Sequence, residues 1–183
     1  RHLLPWPADP RFPSMQRAVL EAVVAAAFGD VRIMTTHLEY YSAAQRKIQV
    51  EAIRRLHQEA CAHTRDPGPG GEPGEPIFDC RPRPASAIIT GDMNVKPEWE
   101  EHDLFLRPFD DGAPAFTDTW QTVHPHEPHA PTVDVHQPMP AEPPYCCDYI
   151  FVTEDLASRS TRAEVAAQTA ASDHQPLWVA LAD

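Results

Sequence analysis

One stretch of the sequence reads Ala-Ile-Ile-Thr-Gly-Asp-Met-Asn at residues 87–94. Its first half is a short apolar run rich in isoleucine, which favours a buried β-strand. The run ends abruptly at Gly91, and Asp92 and Asn94 follow in what we expect to be a polar loop. Folds that combine helices with a sheet place much of their chemistry in loops that follow strands. The sequence therefore predicts a functional site at this strand end.

Three other strand-like runs are flanked by short polar groups of the same kind. These groups are Thr36-His37, Asp148 and Asp173-His174. Each one alone is as typical of a turn, a cap or a hydrogen-bonded structural residue as of a site. Together with Asp92 and Asn94 they provide two histidines, three carboxylates and a carboxamide, the set that metal-assisted phosphoryl hydrolysis needs. Mg²⁺ or Mn²⁺ prefers carboxylate and carboxamide oxygens, and a neutral histidine can take a proton from water if a carboxylate orients it.

The surrounding pattern predicts a mixed α/β (α+β) sandwich in which sheets form the core. Residues 15–28 are alanine-rich and by propensity favour a helix, but a turn signal at Gly29-Asp30 and a β-branched run after it favour a hairpin. Residues 43–63 predict the one long helix, with Ser42 as its cap, Gln45 completing a capping box, and an apolar stripe along one face. That stripe comprises Ile48, Ala52, Ile53, Leu56 and Ala60.

The net charge and the lengths of the apolar runs disfavour some classes of function. The 183 residues carry 15 Lys and Arg against 27 Asp and Glu, a formal charge of −12, which disfavours nonspecific wrapping of nucleic acid. A divalent metal can neutralise an acidic cleft locally, so a phosphate substrate stays compatible with this charge. No apolar run approaches the ~20 residues that span a bilayer. We expect a cytoplasmic protein with its four cysteines reduced, a Cys61–Cys80 bridge being the minor alternative.

Proline is the unusual residue, at 21 of 183. Most prolines lie between Pro67 and Pro144, which predicts flexible insertions at about residues 64–85 and 124–144. The second insertion holds several histidines, which we interpret as a solvated loop rather than a transition-metal site; they are His124, His126, His129 and His136.

The order of the four polar motifs resembles the endonuclease/exonuclease/phosphatase superfamily, which has a DNase-I-like, four-layer α/β sandwich. The resemblance runs from roughly residue 31 to residue 181, and the string at 34–42 is also similar to a bacterial hydrolase branch of that superfamily. It implies a divalent-metal-dependent hydrolase, using Mg²⁺ or Mn²⁺, that cleaves a phosphodiester (as a nuclease does) or a phosphomonoester by in-line attack of an activated water. The substrate would be a phosphoester, with nucleic acid among the candidates.

The resemblance also assigns roles to the motif residues. His174 would be the general base, and Asp148 would orient it. Asp173 would ligate the metal, with Asp92 and Asn94 as further ligands. Asp92 would also position the water or assist the leaving group. Asn94, His37 and His174 would bind the scissile phosphate, and His37 would donate to a phosphate oxygen or to the leaving group.

The chain also departs from the superfamily pattern. Complete members are longer, and their N-terminal half supplies an Asn and a metal-binding Glu; Glu21 lacks that context. Residues 1–183 therefore resemble the C-terminal portion of one such domain. We expect an exposed apolar sheet face that self-association or an N-terminal segment would cover. The alternative function is a catalytically incompetent fragment that acts as a binding or regulatory module.

Overall fold

A computed structural model describes residues 1–68, 83–137 and 142–183. Six strands form a mixed sheet in the order β1-β2-β3-β4-β6-β5, and two more form a separate antiparallel pair. The strands of the large sheet are β1 His2–Leu3, β2 Ala18–Ala26, β3 Gly29–His37, β4 Ala87–Asp92, β5 Phe116–Asp118 and β6 Asp148–Thr153. The small sheet consists of β7 Ser160–Val165 and β8 Leu177–Leu181. The helices are α1 Ala43–Arg65, α2 Glu100–Leu106, α3 Thr119–Val123 and α4 Glu154–Ala157.

The predicted hairpin is present as β2 and β3, joined at Ala26 and Gly29. The turn needs Gly29, whose φ of 118° lies in the left-handed region that side chains disfavour. β3 then pairs with β4 in parallel, and β4 pairs antiparallel with β6. This order brings the end of β3, the end of β4 and the start of β6 to the same edge.

Helix α1 covers one face of the large sheet and begins at the predicted cap. The Ser42 hydroxyl accepts a hydrogen bond from the Gln45 backbone N–H at 3.2 Å. The second half of the capping box does not form, because the Gln45 side chain instead donates to the Pro7 carbonyl. The core between helix and sheet is apolar, with Ile53, Met34 and Phe151 fully buried.

The other face of the large sheet is partly open. Leu20 and Val24 of β2 are 56% and 45% exposed, and Ala22 between them is also exposed. The small sheet lies beside this face, since Leu177 of β8 lines the same cleft as Thr90 and Ile150. The described residues therefore form helix, sheet and second-sheet layers, and the predicted α+β class and exposed apolar face are both present. No helix among the described residues is long and apolar enough to cross a membrane.

Candidate active site

The strand ends place Asp92 at the centre of the site. In the sheet register, Asp92 lies opposite His37 on β3 and opposite Asp148 on β6. The His37 Nε2 atom is 3.4 Å from Asp92 Oδ2. Residues 37, 92 and 148 are far apart in sequence, and strand pairing alone brings them together.

His174 completes the group from the segment before β8. Its Nδ1 donates to Asp148 Oδ2 at 2.8 Å, while its Nε2 lies 3.9 Å from Asp92 Oδ2. Partial burial disfavours the charged ring, but the hydrogen bond and the negative charge of Asp148 outweigh it and raise the pKa of His174. With the Nδ1 proton held by Asp148, the neutral ring directs the Nε2 lone pair toward Asp92.

The loop after β4 is a tight turn that fixes Asp92 and Asn94. The Asn94 N–H donates to Asp92 Oδ1 at 2.8 Å, and Asn94 adopts φ 49°, a left-handed conformation that Asn tolerates. The Asn94 side-chain amide donates to the Leu38 carbonyl at 3.0 Å, which ties this loop to the residues after β3. One amide hydrogen is used in this bond. The carboxamide oxygen is the group that a cation would use, and the second amide hydrogen is the group that a phosphate would use.

Thr132 is a site residue that sequence reasoning missed. Its hydroxyl accepts hydrogen bonds from the backbone N–H groups of Cys147 and Asp148, each at 3.1 Å. Its carbonyl accepts from the Gln175 N–H at 2.8 Å, next to His174. Thr132 lies in the predicted insertion 124–144, where a threonine among prolines gives no signal. This part of the insertion holds the start of β6 and the segment before β8 against each other.

Asp173 lies apart from the other candidates. Its carboxylate is exposed and accepts a hydrogen bond from the Ser172 hydroxyl at 3.0 Å. The potential ligand atoms that converge within 4.8 Å of one another here belong to Asp92, Cys147 and His174. Asp173 as a metal ligand therefore stays a prediction.

The electrostatics of the cleft fit a hard divalent cation. Burial and the nearby charge of Asp148 raise the pKa of Asp92. The carboxylates of Asp92 and Asp148 thus repel each other in a partly buried cleft. A bound cation would relieve this repulsion, and the Asp92 and Asn94 oxygens are ligands that Mg²⁺ accepts. Cys147 suits the cation less, because burial raises the pKa of its thiol, which donates to Asp148 Oδ2 instead. A cleft of about 510 Å³, lined by Asp148, His174 and Gly91, leaves room for a ligand.

A second convergent group lies under β6, where Asp118 Oδ2 accepts hydrogen bonds from His102 Nε2 at 2.9 Å and His129 Nε2 at 2.8 Å. Burial opposes ionisation, but these two bonds dominate and lower the pKa of Asp118 to about 2. Asp118 Oδ1 also accepts from the first N–H groups of α3. The carboxylate is thus fully satisfied, and we interpret the group as structural. The prediction of a solvated loop is therefore wrong for His129, because its ring is buried in this group and bonded to Asp118.

Comparison with known proteins identifies the family. The sequence profile of the Endonuclease/Exonuclease/phosphatase family matches residues 35–174. This range holds every site residue discussed above, from His37 to His174. A search of curated proteins finds no match.

Solved structures share the fold, which confirms the DNase-I-like prediction. An endonuclease/exonuclease/phosphatase from Bacteroides vulgatus superimposes with a TM-score of 0.62 at 18% identity, over 91% of this chain and 56% of that one. The mannosyl-6-phosphatase Bt3783 of Bacteroides thetaiotaomicron gives 0.60 at 17%, over 92% and 58%. TDP2 of D. rerio, complexed with a single-strand DNA product, gives 0.58 at 18%, over 100% and 66%. The chain thus spans less than two thirds of the length of the first two.

Proposed function

Because the chain belongs to the Endonuclease/Exonuclease/phosphatase family, we propose that it hydrolyses phosphoester bonds in a divalent-metal-dependent reaction, with His174 as the base that activates water. The main support for this proposal is the position of the His174 ring between the carboxylates of Asp148 and Asp92. One carboxylate fixes the ring by its Nδ1, and the free Nε2 points into the cleft toward the second.

In the reaction, a water oxygen attacks phosphorus in line with the departing oxygen. Its proton passes to Nε2 of His174, the phosphorus–oxygen bond to the leaving group breaks, and no covalent intermediate forms. Asp148 stabilises the resulting imidazolium, which agrees with the direction in which it shifts the pKa of His174. Correct placement of these groups contributes further to the rate enhancement.

The remaining residues bind and orient the phosphate. His37 is well exposed beside Asp92 and can donate from its ring to a phosphate or leaving-group oxygen. Asn94 can donate its second amide hydrogen to a phosphate oxygen, and Asp92 positions the water. Asp92 and Asn94, with Asp173 as the further candidate, would hold Mg²⁺ or Mn²⁺. The bound cation would neutralise charge that develops on the phosphate oxygens.

The proposal is tested with p-nitrophenyl phosphate and bis-p-nitrophenyl phosphate in the presence of Mg²⁺ or Mn²⁺. We expect His174→Ala to lower turnover by roughly 10²–10⁴-fold, the usual range for loss of a general base. His63→Ala is the matched control, since His63 is an exposed histidine near the end of α1. Equal rates for wild type and His174→Ala would refute the assignment.

The alternative, a non-catalytic binding module, predicts a different pattern. In that case neither ester is turned over, yet calorimetry still detects ester binding that His37→Ala weakens. The family match supports hydrolysis more directly than it supports a binding module.

A further inference from the structure

Two tyrosines follow the catalytic strand β3 and face solvent. Tyr40 is 50% exposed and Tyr41 is 54% exposed. Their rings form an edge-to-face pair with centroids 4.8 Å apart. Large aromatic side chains that stay this exposed beside a site are common at binding surfaces.

Buried polar groups hold the backbone of these tyrosines in place. Arg46 Nη1 donates to the carbonyls of Glu39 and Tyr40, at 3.1 and 3.0 Å. The Tyr41 N–H donates to Glu39 Oε1 at 3.0 Å, and Gln49 Oε1 accepts from the Glu39 N–H at 2.9 Å. Glu39 and Arg46 are only 1% and 4% exposed. Burying such groups is costly unless they are hydrogen-bonded, so this network rigidifies the segment.

The same segment is fastened to the catalytic loop. The Leu38 N–H donates to the Asp92 carbonyl, and its own carbonyl accepts from the Asn94 amide, both at 3.0 Å. Tyr40 comes three residues after His37, a distance of at most ~10 Å along the chain. The backbone of both tyrosines is therefore held close to the groups proposed to bind phosphate. We call the exposed pair of Tyr40 and Tyr41 the tyrosine rim.

We propose that the tyrosine rim stacks on the nucleobase of a nucleotide whose phosphate lies at His37 and Asn94. This deepens, and rests on, the proposed phosphoesterase function. Base–aromatic stacking contributes ~1–3 kcal/mol per base and does not depend on base identity. A chain of net charge −12 is unsuited to holding the phosphate backbone of a long strand. The favoured substrate is therefore a short nucleotide ester or a strand end, recognised by one stacked base.

Two phosphodiesters with the same leaving group test this proposal: the p-nitrophenyl ester of thymidine 5′-monophosphate and methyl p-nitrophenyl phosphate. We expect Tyr40→Ala and Tyr41→Ala to raise KM for the thymidine ester roughly 5- to 100-fold, as loss of stacking predicts. KM for the methyl ester and kcat for both should change little. Tyr40→Phe keeps the ring and should behave as wild type.

Binding separates this proposal from the catalytic one. If wild type hydrolyses neither ester, the proposed function fails, and calorimetry with the thymidine ester still tests the rim. Tighter binding of the thymidine ester than of the methyl ester, lost in Tyr40→Ala and kept in Tyr40→Phe, supports the stacking site. Equal affinity for the two esters, or no change on removing the rings, overturns it.

Discussion

Gly91 shows how a single residue sets the geometry of the site. Its φ is 138°, and a Cβ at this position would lie 1.9 Å from the Thr36 carbonyl oxygen. The close approach of β3 and β4 just before His37 and Asp92 therefore requires glycine. The sequence reveals this glycine as the end of a strand, but the clash depends on a neighbour 55 positions earlier in the chain.

Gly91→Ala should lower the free energy of unfolding by at least ~2 kcal/mol more than Gly29→Ala, in urea titrations. Gly29 is the matched control, because its φ is also positive while a Cβ added there would meet nothing within 4 Å. Similar losses in the two variants would mean that strain in φ, and not the contact with Thr36, makes Gly91 necessary.

His57 couples stability to pH. Its Nδ1 accepts from Arg32 Nη2 at 2.6 Å and its Nε2 donates to the Pro114 carbonyl at 2.9 Å, so the ring is held neutral. Burial, with the nearby charge of Arg32, lowers the pKa of His57 from 6.5 to about 4. The unfolded chain binds this proton near pH 6.5 and the folded chain only near pH 4. Stability from this group is full above pH 6.5 and is lost as the pH falls to 4.

The free energy of unfolding should therefore fall by roughly 2–3 kcal/mol between pH 7 and pH 4 on account of this one residue. In His57→Gln the decline over that range should be shallower by about this amount. His63→Gln, an exposed histidine on the same helix, should keep the wild-type slope in urea titrations at each pH. An unchanged slope in His57→Gln would show that His57 does not couple stability to pH.

Among the elements, helix α1 shows what the sequence pattern could and could not predict. The cap at Ser42 and the overall extent were predicted, and the helix continues to Arg65. The buried face differs from the predicted apolar stripe: Ile48 and Leu56 are only half-buried, whereas Arg46, Gln49 and His57 are buried. Polar residues occupy that face because they bind Glu39 and Arg32, partners that lie elsewhere in the sequence. Apolar periodicity carries no signal for such pairs.

The candidate site, like helix α1, could be predicted from the sequence only in part. Strand ends gave His37, Asp92, Asn94, Asp148 and His174 as candidates because short polar groups stood out against apolar runs, and pairing of β3, β4 and β6 brings their strand ends together. Thr132 and the Asp118 cluster could not be found, because loop residues meet their partners only through tertiary structure.

The Asp118 cluster joins α2, the start of α3 and the loop after it. Removing the charge should leave two buried N–H donors facing an amide, so Asp118→Asn should lower the free energy of unfolding by about 3 kcal/mol. Asp103→Asn is the control, an exposed acid on α2, and should change it by less than ~0.5 kcal/mol. A loss below ~1 kcal/mol for Asp118→Asn in urea titrations would show that the cluster does not hold these elements together.

At the scale of the whole molecule, the open face of the large sheet exposes apolar side chains to solvent. Leu20 and Val24 project from it, and we propose that self-association or another polypeptide segment covers it. The double variant Leu20→Ser/Val24→Ser should reduce concentration-dependent association in analytical ultracentrifugation and keep the fold, because both side chains are already exposed. Phe12→Ser, an exposed aromatic outside the sheet, should leave association unchanged. A wild-type chain that stays monomeric at every concentration would contradict self-association.

The proposed metal-dependent phosphoesterase site, built on Asp92, Asp148 and His174, is best tested by measuring the rate of p-nitrophenyl ester hydrolysis as a function of Mg²⁺ concentration. We predict a rate that rises to saturation with Mg²⁺, is abolished by EDTA, and is lost in Asp92→Asn but kept in Asp103→Asn. Hydrolysis that persists in EDTA, or that is unaltered in Asp92→Asn, would contradict the claim.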